Sequence, residues 1–261
     1  MRRFWIIRKR LSKISGERNT IDMKYIEVFP QFDDVVGFFS TQKGASEGYP
    51  YSREDVFAEV GLKDAAVVWP KQIHEDHIAV VSRRPEGPIR IPDTDGLITD
   101  LKNVLLTTVH ADCLPVYFFD PEKGVIGLVH AGWRGSAASI ASKAAEKMTA
   151  VFGCEKSDIH VYIGPGISKC CFEIGKEVYD IFSKKSFFTE ELADKKVNDS
   201  GETKYYIDLK SVNRRQLENI GIKPENIQQS SHCTCCEPRL FCSYRREGGT
   251  DKRMGAGLCM I

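Results

Sequence analysis

Between Thr107 and Ser136 the chain reads TTVHADCLPVYFFDPEKGVIGLVHAGWRGS, which sets His110, Asp112, Cys113, His130 and Arg134 at the ends of apolar runs. Imidazoles and a thiol at strand ends can ligate a metal, move protons or attack a substrate. Together with His74 further upstream, Cys113 and His130 form a His/Cys/His trio suited to catalytic zinc, which takes three protein ligands and keeps a fourth position open. His77 and His110 compete for the same role. Ordinary hydrogen-bonded histidines are the rival reading of all of them.

Gly132-Trp133-Arg134-Gly135-Ser136 joins a strand end to a helix start. It could pair free backbone N–H groups with a guanidinium in an anion pocket, or be a tight turn with Arg134 solvated. Tyr244-Arg245-Arg246 offers a second phosphate or carboxylate contact, with a solvated basic edge as the alternative, favoured more for Arg246 than for Arg245. Near the C-terminus, His232-Cys233-Thr234-Cys235-Cys236 with Cys242, joined by Cys170-Cys171, suggests a zinc knuckle. Only Cys233 and Cys236 have C-x2-C spacing, so buried thiols rank above metal ligation. No phosphate-binding loop or dinucleotide fingerprint is present, and His74-Glu75-Asp76-His77 matches neither the H-E-x-x-H signature nor that of zinc nucleobase deaminases.

These residues need elements to hold them. Val104 to Val109, Val116 to Phe119 and Val125 to Val129 are near-continuous apolar runs, expected as strands buried on both faces at the centre of a sheet. A helix is expected from Ser136, with Ile140, Ala144, Met148, Val151 and Phe152 facing the sheet and Gly153 ending it. Further strands are expected at Tyr25 to Phe29, Ile159 to Ile163, Tyr205 to Ile207, Leu240 to Tyr244 and Gly257 to Ile261. Helices are expected at Gly175 to Lys184 and from Leu209 to Gly221. Strands and helices mixed without strict alternation indicate an α+β (mixed α/β) fold.

The 261 residues, 42% hydrophobic with a net charge of +1, suit a folded protein with a substantial core, and the balance favours neither nucleic acid nor a membrane surface as partner. Nine cysteines in a chain of this size read as reduced thiols of a cytoplasmic protein rather than a disulfide scaffold. Cys154 and Cys259 read as packing residues. Residues 1–22 form a basic extension whose apolar core, Phe4 to Ile7, is too short for a signal peptide; Met23 marks an alternative start, and a single domain is expected over 23–261.

Several stretches together resemble the laccase-domain family, also called multicopper polyphenol oxidases, peptidoglycan editing factors and purine nucleoside phosphorylases. They are Lys71-Gln72-Ile73-His74, Asp95-Gly96-Leu97-Ile98-Thr99, Ala111-Asp112-Cys113-Leu114-Pro115, His130 to Gly135, Ile163-Gly164-Pro165-Gly166-Ile167, Cys170-Cys171-Phe172-Glu173, Asn213 to Leu217 and Ser243 to Arg246. The resemblance implies packed mixed sheets flanked by helices, and zinc on His74, Cys113 and His130, with Cu²⁺ as the alternative ion. It implies phosphorolysis of adenosine, inosine and S-methyl-5'-thioadenosine, and deamination of adenosine. Arg134, Gln72, Lys43 and Arg245 are the expected substrate and phosphate contacts. Gln42 stands where the family carries arginine, leaving Lys43 as the nearby cation, and His110 replaces a usual threonine. The rivals are a peptidoglycan-precursor amidase using Cys113, a copper-dependent phenol oxidase, for which six histidines are few, and a metal-stabilised binding module. The expected partners are a nucleoside and phosphate, in a monomer or weak homodimer.

Overall fold

The computed structural model describes residues 23–44, 46–47, 54–197 and 200–261, so the extension expected over residues 1–22 lies outside the described residues. In chain order the strands are β1 (Tyr25–Val28), β2 (Val35–Ser40), β3 (Ser46–Glu47), β4 (Ala66–Pro70), β5 (Ile78–Val80), β6 (Ile89–Ile91), β7 (Gly96–Thr99), β8 (Val104–His110), β9 (Leu114–Asp120), β10 (Val125–Ala131), β11 (His160–Ile163), β12 (Glu173–Ile174), β13 (Ala193–Val197), β14 (Thr203–Ile207), β15 (Ile227–Gln229) and β16 (Lys252–Met260). The α-helices are α1 (Glu54–Glu59), α2 (Trp133–Ala137), α3 (Ile140–Phe152), α4 (Lys176–Ser183), α5 (Leu209–Asn219) and α6 (Tyr244–Glu247).

Two mixed sheets carry the fold. One runs β1-β2-β16-β8-β4-β6, with β3 beside β16; the other runs β15-β11-β9-β10-β7-β5; and β12-β14-β13 form a small third sheet. The expected central strands are interior, but they divide between sheets, β8 in the first and β9 and β10 in the second. All seven residues of both β9 and β10 are buried, because each strand has one face on the other sheet and one on helices. In β10, Ile126 and Leu128 join Leu106 and Leu258 in the layer between the sheets. Val125, Val129 and Ala131 pack with Ile140, Ala144 and Met148 of α3. The two-residue alternation of a strand thus turns His130 toward the inter-sheet layer at its rim.

The result is a single α+β domain of mixed sheets flanked by helices. Two expectations are corrected. The helix expected from Ser136 is broken at Ser139, whose φ of 61° is left-handed, and Val151 is exposed rather than packed on the sheet. Its end stands as expected, with Gly153 at φ 69°. The stretch Leu240 to Tyr244 is not a strand: the amides of Leu240 and Phe241 bond the carbonyl of Glu237, and Ser243 caps α6 by accepting from the amide of Arg246. Phe241 is fully buried, so the apolar run anchors a loop.

Candidate active site and metal centre

β4 is parallel to β8, and β9 and β10 are antiparallel neighbours, so the residues after β4, the β8–β9 turn and the end of β10 emerge at one rim. His74, Cys113 and His130 meet there, with their ligand atoms all within 4.8 Å of one another. The His74 and His130 rings are nearly perpendicular, with centroids 4.8 Å apart.

Asp95, just before β7, organises this rim. Its carboxylate accepts the backbone N–H groups of Ile73 (3.1 Å), His74 (3.0 Å) and Glu75 (2.9 Å), fixing the loop in which His74 adopts a left-handed φ of 61°. It also lies 2.9 Å from Nδ1 of His130. An ionised carboxylate only accepts, so Nδ1 donates to it and Nε2, turned toward Cys113, is the nitrogen that a metal would take. Burial raises the pKa of Asp95, but the bonds from His130 and these amides prevail and hold it below the usual carboxylate value.

Burial likewise pushes the Cys113 thiol up, yet the His130 and His74 imidazoles bring it down to about 6. Burial lowers His130, whereas the Cys113 thiolate and Asp95 raise it to about 9. The trio therefore holds a ready thiolate. Gly132 leaves room for it: a Cβ there would sit 3.1 Å from Cys113 Sγ.

Asp112 holds the adjoining turn at a left-handed φ of 83°. Its side chain accepts from Thr234 Oγ1 (2.6 Å), Ser243 Oγ (3.0 Å) and the Arg245 amide (2.7 Å). Two distant segments, the turn at Thr234 and the start of α6, thereby converge beside Cys113. His110 is drawn in as well but has other work. Its Nδ1 donates to the carbonyl of Cys113 (3.0 Å), and Nε2 accepts from Thr108 Oγ1 (2.8 Å). His77 points its Nδ1 at Asp93 O and Thr94 Oγ1 instead.

The trio faces a cavity of about 520 Å³. Trp69, Trp133, Phe172 and Tyr244 supply aromatic walls, and Arg90, Arg245 and Arg253 supply cations. Of the four expected substrate contacts, Arg245 and Gln72 line it. The Gln72 carboxamide pairs with both the carbonyl and the amide of Val109 (2.9 and 2.8 Å), extending the ladder between β4 and β8. Arg134 is exposed and stacks its guanidinium 4.3 Å over the Trp133 ring. Neither Arg134 nor Lys43, in a short 3₁₀ turn, is among the lining residues. Arg90 and Arg253 are additions, each lying on or beside a strand with no motif to flag it.

Two further readings change. Arg246 is no solvated edge: it donates to the carbonyls of Thr234, Cys235 and Phe241. The C-terminal cysteines are not simply buried thiols, since Cys170, Cys171, Cys233 and Cys236 bring their sulfurs within 4.8 Å of one another and two of them are exposed. Cys154 and Cys259 are buried as expected. Among the described residues no helix is long and apolar enough to cross a membrane.

Two mixed sheets presenting a Cys/His cluster competent for metal at their shared rim define the class. The chain belongs to the multi-copper polyphenol oxidoreductase laccase family, which matches residues 47–261. It is 37% identical over 249 residues to "Purine nucleoside phosphorylase YlmD" of Geobacillus stearothermophilus, covering 86% of this chain and 90% of that protein. It is 33% identical over 206 residues to "Adenosine deaminase RL5" of an unknown prokaryotic organism, covering 77% of each. The crystal structure of the hypothetical protein YfiH from Bacillus licheniformis superposes with a TM-score of 0.80 at 30% identity, covering 92% of this chain and 98% of that one.

Proposed function

We propose that the protein is a zinc-dependent enzyme of purine nucleosides, cleaving adenosine, inosine and S-methyl-5'-thioadenosine with phosphate and deaminating adenosine. The observation that carries this reading is the His74, Cys113 and His130 trio facing an aromatic and cationic cavity. The names of the relatives support the substrate class. The donor set fits zinc: two imidazoles and a thiolate, with one imidazole oriented by a carboxylate. Copper fits less well, because a multicopper cluster draws on many more imidazoles.

Zinc held by His74, Cys113 and His130 would supply a Lewis acid at the edge of the cavity. The remaining work belongs to the chain. Phe172, Tyr244 and Trp69 offer faces and edges against which a purine packs. Arg245, aided by Arg90 and Arg253, holds phosphate as its oxygen bonds to ribose C1' and the C1'–N9 bond breaks. Gln72 keeps the wall in register. Arg134 and Lys43 are assigned no substrate contact.

Incubating the purified protein with adenosine tests this directly. Adenine and ribose 1-phosphate are expected only with phosphate present, inosine with or without it, and Cys113→Ala reduces both to background. Absence of all three products rejects the reading.

One observation favours a second reading. Cys113, His130 and Asp95 are arranged as nucleophile, base and orienting carboxylate, which would serve a hydrolase editing cell-wall precursors. Stoichiometric zinc that depends on Cys113 excludes it, since a metal-bound thiolate is not a free nucleophile.

A further inference from the structure

Four of the nine cysteines stand outside the trio as a group of their own and take no part in the chemistry assigned to it. Cys170 and Cys171 follow the Gly164-Pro165-Gly166 turn, and Cys233 and Cys236 sit in a turn after β15. The chain joins the two turns directly. Gly166 and Cys233 form an isolated parallel bridge, and the Thr234 amide donates to the Gly166 carbonyl at 3.1 Å.

The sulfur positions are informative. Sγ of Cys236 is 3.3 Å from that of Cys171 and 3.5 Å from that of Cys170. Sγ of Cys170 is 3.7 Å from those of both Cys171 and Cys233. A regular tetrahedron of thiolates around zinc, with Zn–S of about 2.3 Å, has edges of about 3.8 Å. The four sulfurs are therefore close to a zinc tetrahedron and well outside the ~2.05 Å of a disulfide. Packing does not explain them, because Cys170 and Cys236 are exposed, whereas cysteine serving as a small hydrophobe is buried.

The surroundings place donors and positive charge around the sulfurs. The Ser168 amide donates to Cys233 Sγ at 3.4 Å. Lys210, buried on α5, donates to Ser168 Oγ, Ser230 O and His232 O, and so places an ammonium behind the cluster. Glu237 fixes the turn, accepting the Cys233 amide on one oxygen and facing His232 Nδ1 with the other. Arg245 and Arg246 donate to the carbonyls of Cys171, Thr234 and Cys235, adding positive charge around a site that four thiolates and one zinc ion leave at net −2.

We propose that Cys170, Cys171, Cys233 and Cys236 bind a second zinc ion, and that this ion is structural. Four protein sulfurs close the coordination sphere, so the ion has no position to offer a substrate. It clips the segment carrying Ile167 and Phe172, which line the cavity, to the turn whose Thr234 bonds Asp112 beside Cys113. The zinc thereby fixes the part of the cavity wall that carries Ile167 and Phe172.

The test is metal analysis of the full chain purified under reducing conditions, with cobalt substitution as a second measurement on the unaltered protein. Wild type is expected to hold two zinc ions per chain, and Cys170→Ser/Cys236→Ser and Cys113→Ser one each. Cobalt-loaded wild type is expected to show the intense thiolate charge-transfer and visible bands of a sulfur-rich tetrahedral site, retained in Cys113→Ser and lost in Cys170→Ser/Cys236→Ser. Zinc content unchanged between wild type and Cys170→Ser/Cys236→Ser, iron in place of zinc on the cluster, cobalt spectra lacking those bands, or two thiols missing from a denaturing titration without reductant would each overturn the assignment. Failure of the nucleoside reading shows instead in the assays on Cys113 and leaves these outcomes untouched.

Discussion

Asp95 does more for the site than any ligand, although it touches no substrate. One carboxylate satisfies three successive backbone amides and one imidazole, so the position of His74 and the tautomer of His130 depend on the same two oxygens. Asparagine cannot replace it. Its amide has a single acceptor oxygen, and its NH₂ would face donors. Asp95→Asn is expected to fold but to bind zinc roughly 10–100-fold more weakly, measured by competition with a chromophoric chelator; unchanged affinity would remove Asp95 from the site. A pH arm follows from its lowered pKa. In metal-stripped protein, the stability it contributes is complete above the ordinary carboxylate value of about 4 and is lost as pH falls through the lower folded value. The thermal midpoint of Asp95→Asn should accordingly fall less steeply in that acidic window. The sequence offers Asp95 only as part of a motif, because nothing in its spacing from Ile73 or His130 shows that they meet. His110 is opaque for the same reason. It looks like a competing ligand until both its nitrogens are found committed, to Cys113 O and to Thr108 Oγ1.

At the scale of elements, the strand-to-helix junction after β10 is shaped by missing side chains. Gly132 has φ −71° and ψ 175°, a conformation alanine adopts freely. Its constraint is steric alone, 3.1 Å to Cys113 Sγ and 3.5 Å to His74 Cδ2. Gly135 differs, since a Cβ there would meet the backbone carbonyl of Glu75 at 2.9 Å. Gly132→Ala is therefore expected to weaken zinc binding while the metal-free protein melts within a few degrees of wild type. Gly135→Ala is expected to lower the metal-free melting temperature as well. Calorimetry with and without zinc separates the two, and equal effects in both states for Gly132→Ala would show that the glycine serves the fold and not the metal. Long apolar runs such as Val125 to Val129 are legible as doubly buried strands because burial on both faces leaves no alternation to misread. Leu240 to Tyr244 misleads because its apolar residues anchor a loop in which Glu237, Ser243 and Arg246 take the backbone bonds a partner strand would supply.

Across the whole molecule, both proposed metal positions join parts of the chain that local sequence keeps separate. Cys170 meets Cys233 across 63 residues, which is why spacing alone argues against a knuckle that folding assembles. The trio draws His74 from the end of β4 in one sheet, His130 from the end of β10 in the other, and Cys113 from the turn that passes between them. An ion held there ties the two sheets at their rim, and a ligand that binds only the folded chain stabilises it by about 4 kcal/mol at a thousandfold excess over its Kd. For a domain of this size each kcal/mol moves the melting temperature by roughly 2–4 °C. Returning zinc to chelator-stripped protein should thus raise the midpoint of wild type by roughly 8–16 °C more than that of Cys113→Ala, which lacks the trio but keeps the four-sulfur cluster. Hydrogen exchange should slow most at residues 71–77, 111–115 and 130–134, while the buried centres of β9 and β10 change little. An equal rise in both proteins would mean that the rim is held by its hydrogen bonds alone, and that any zinc on the trio serves chemistry without supporting the fold.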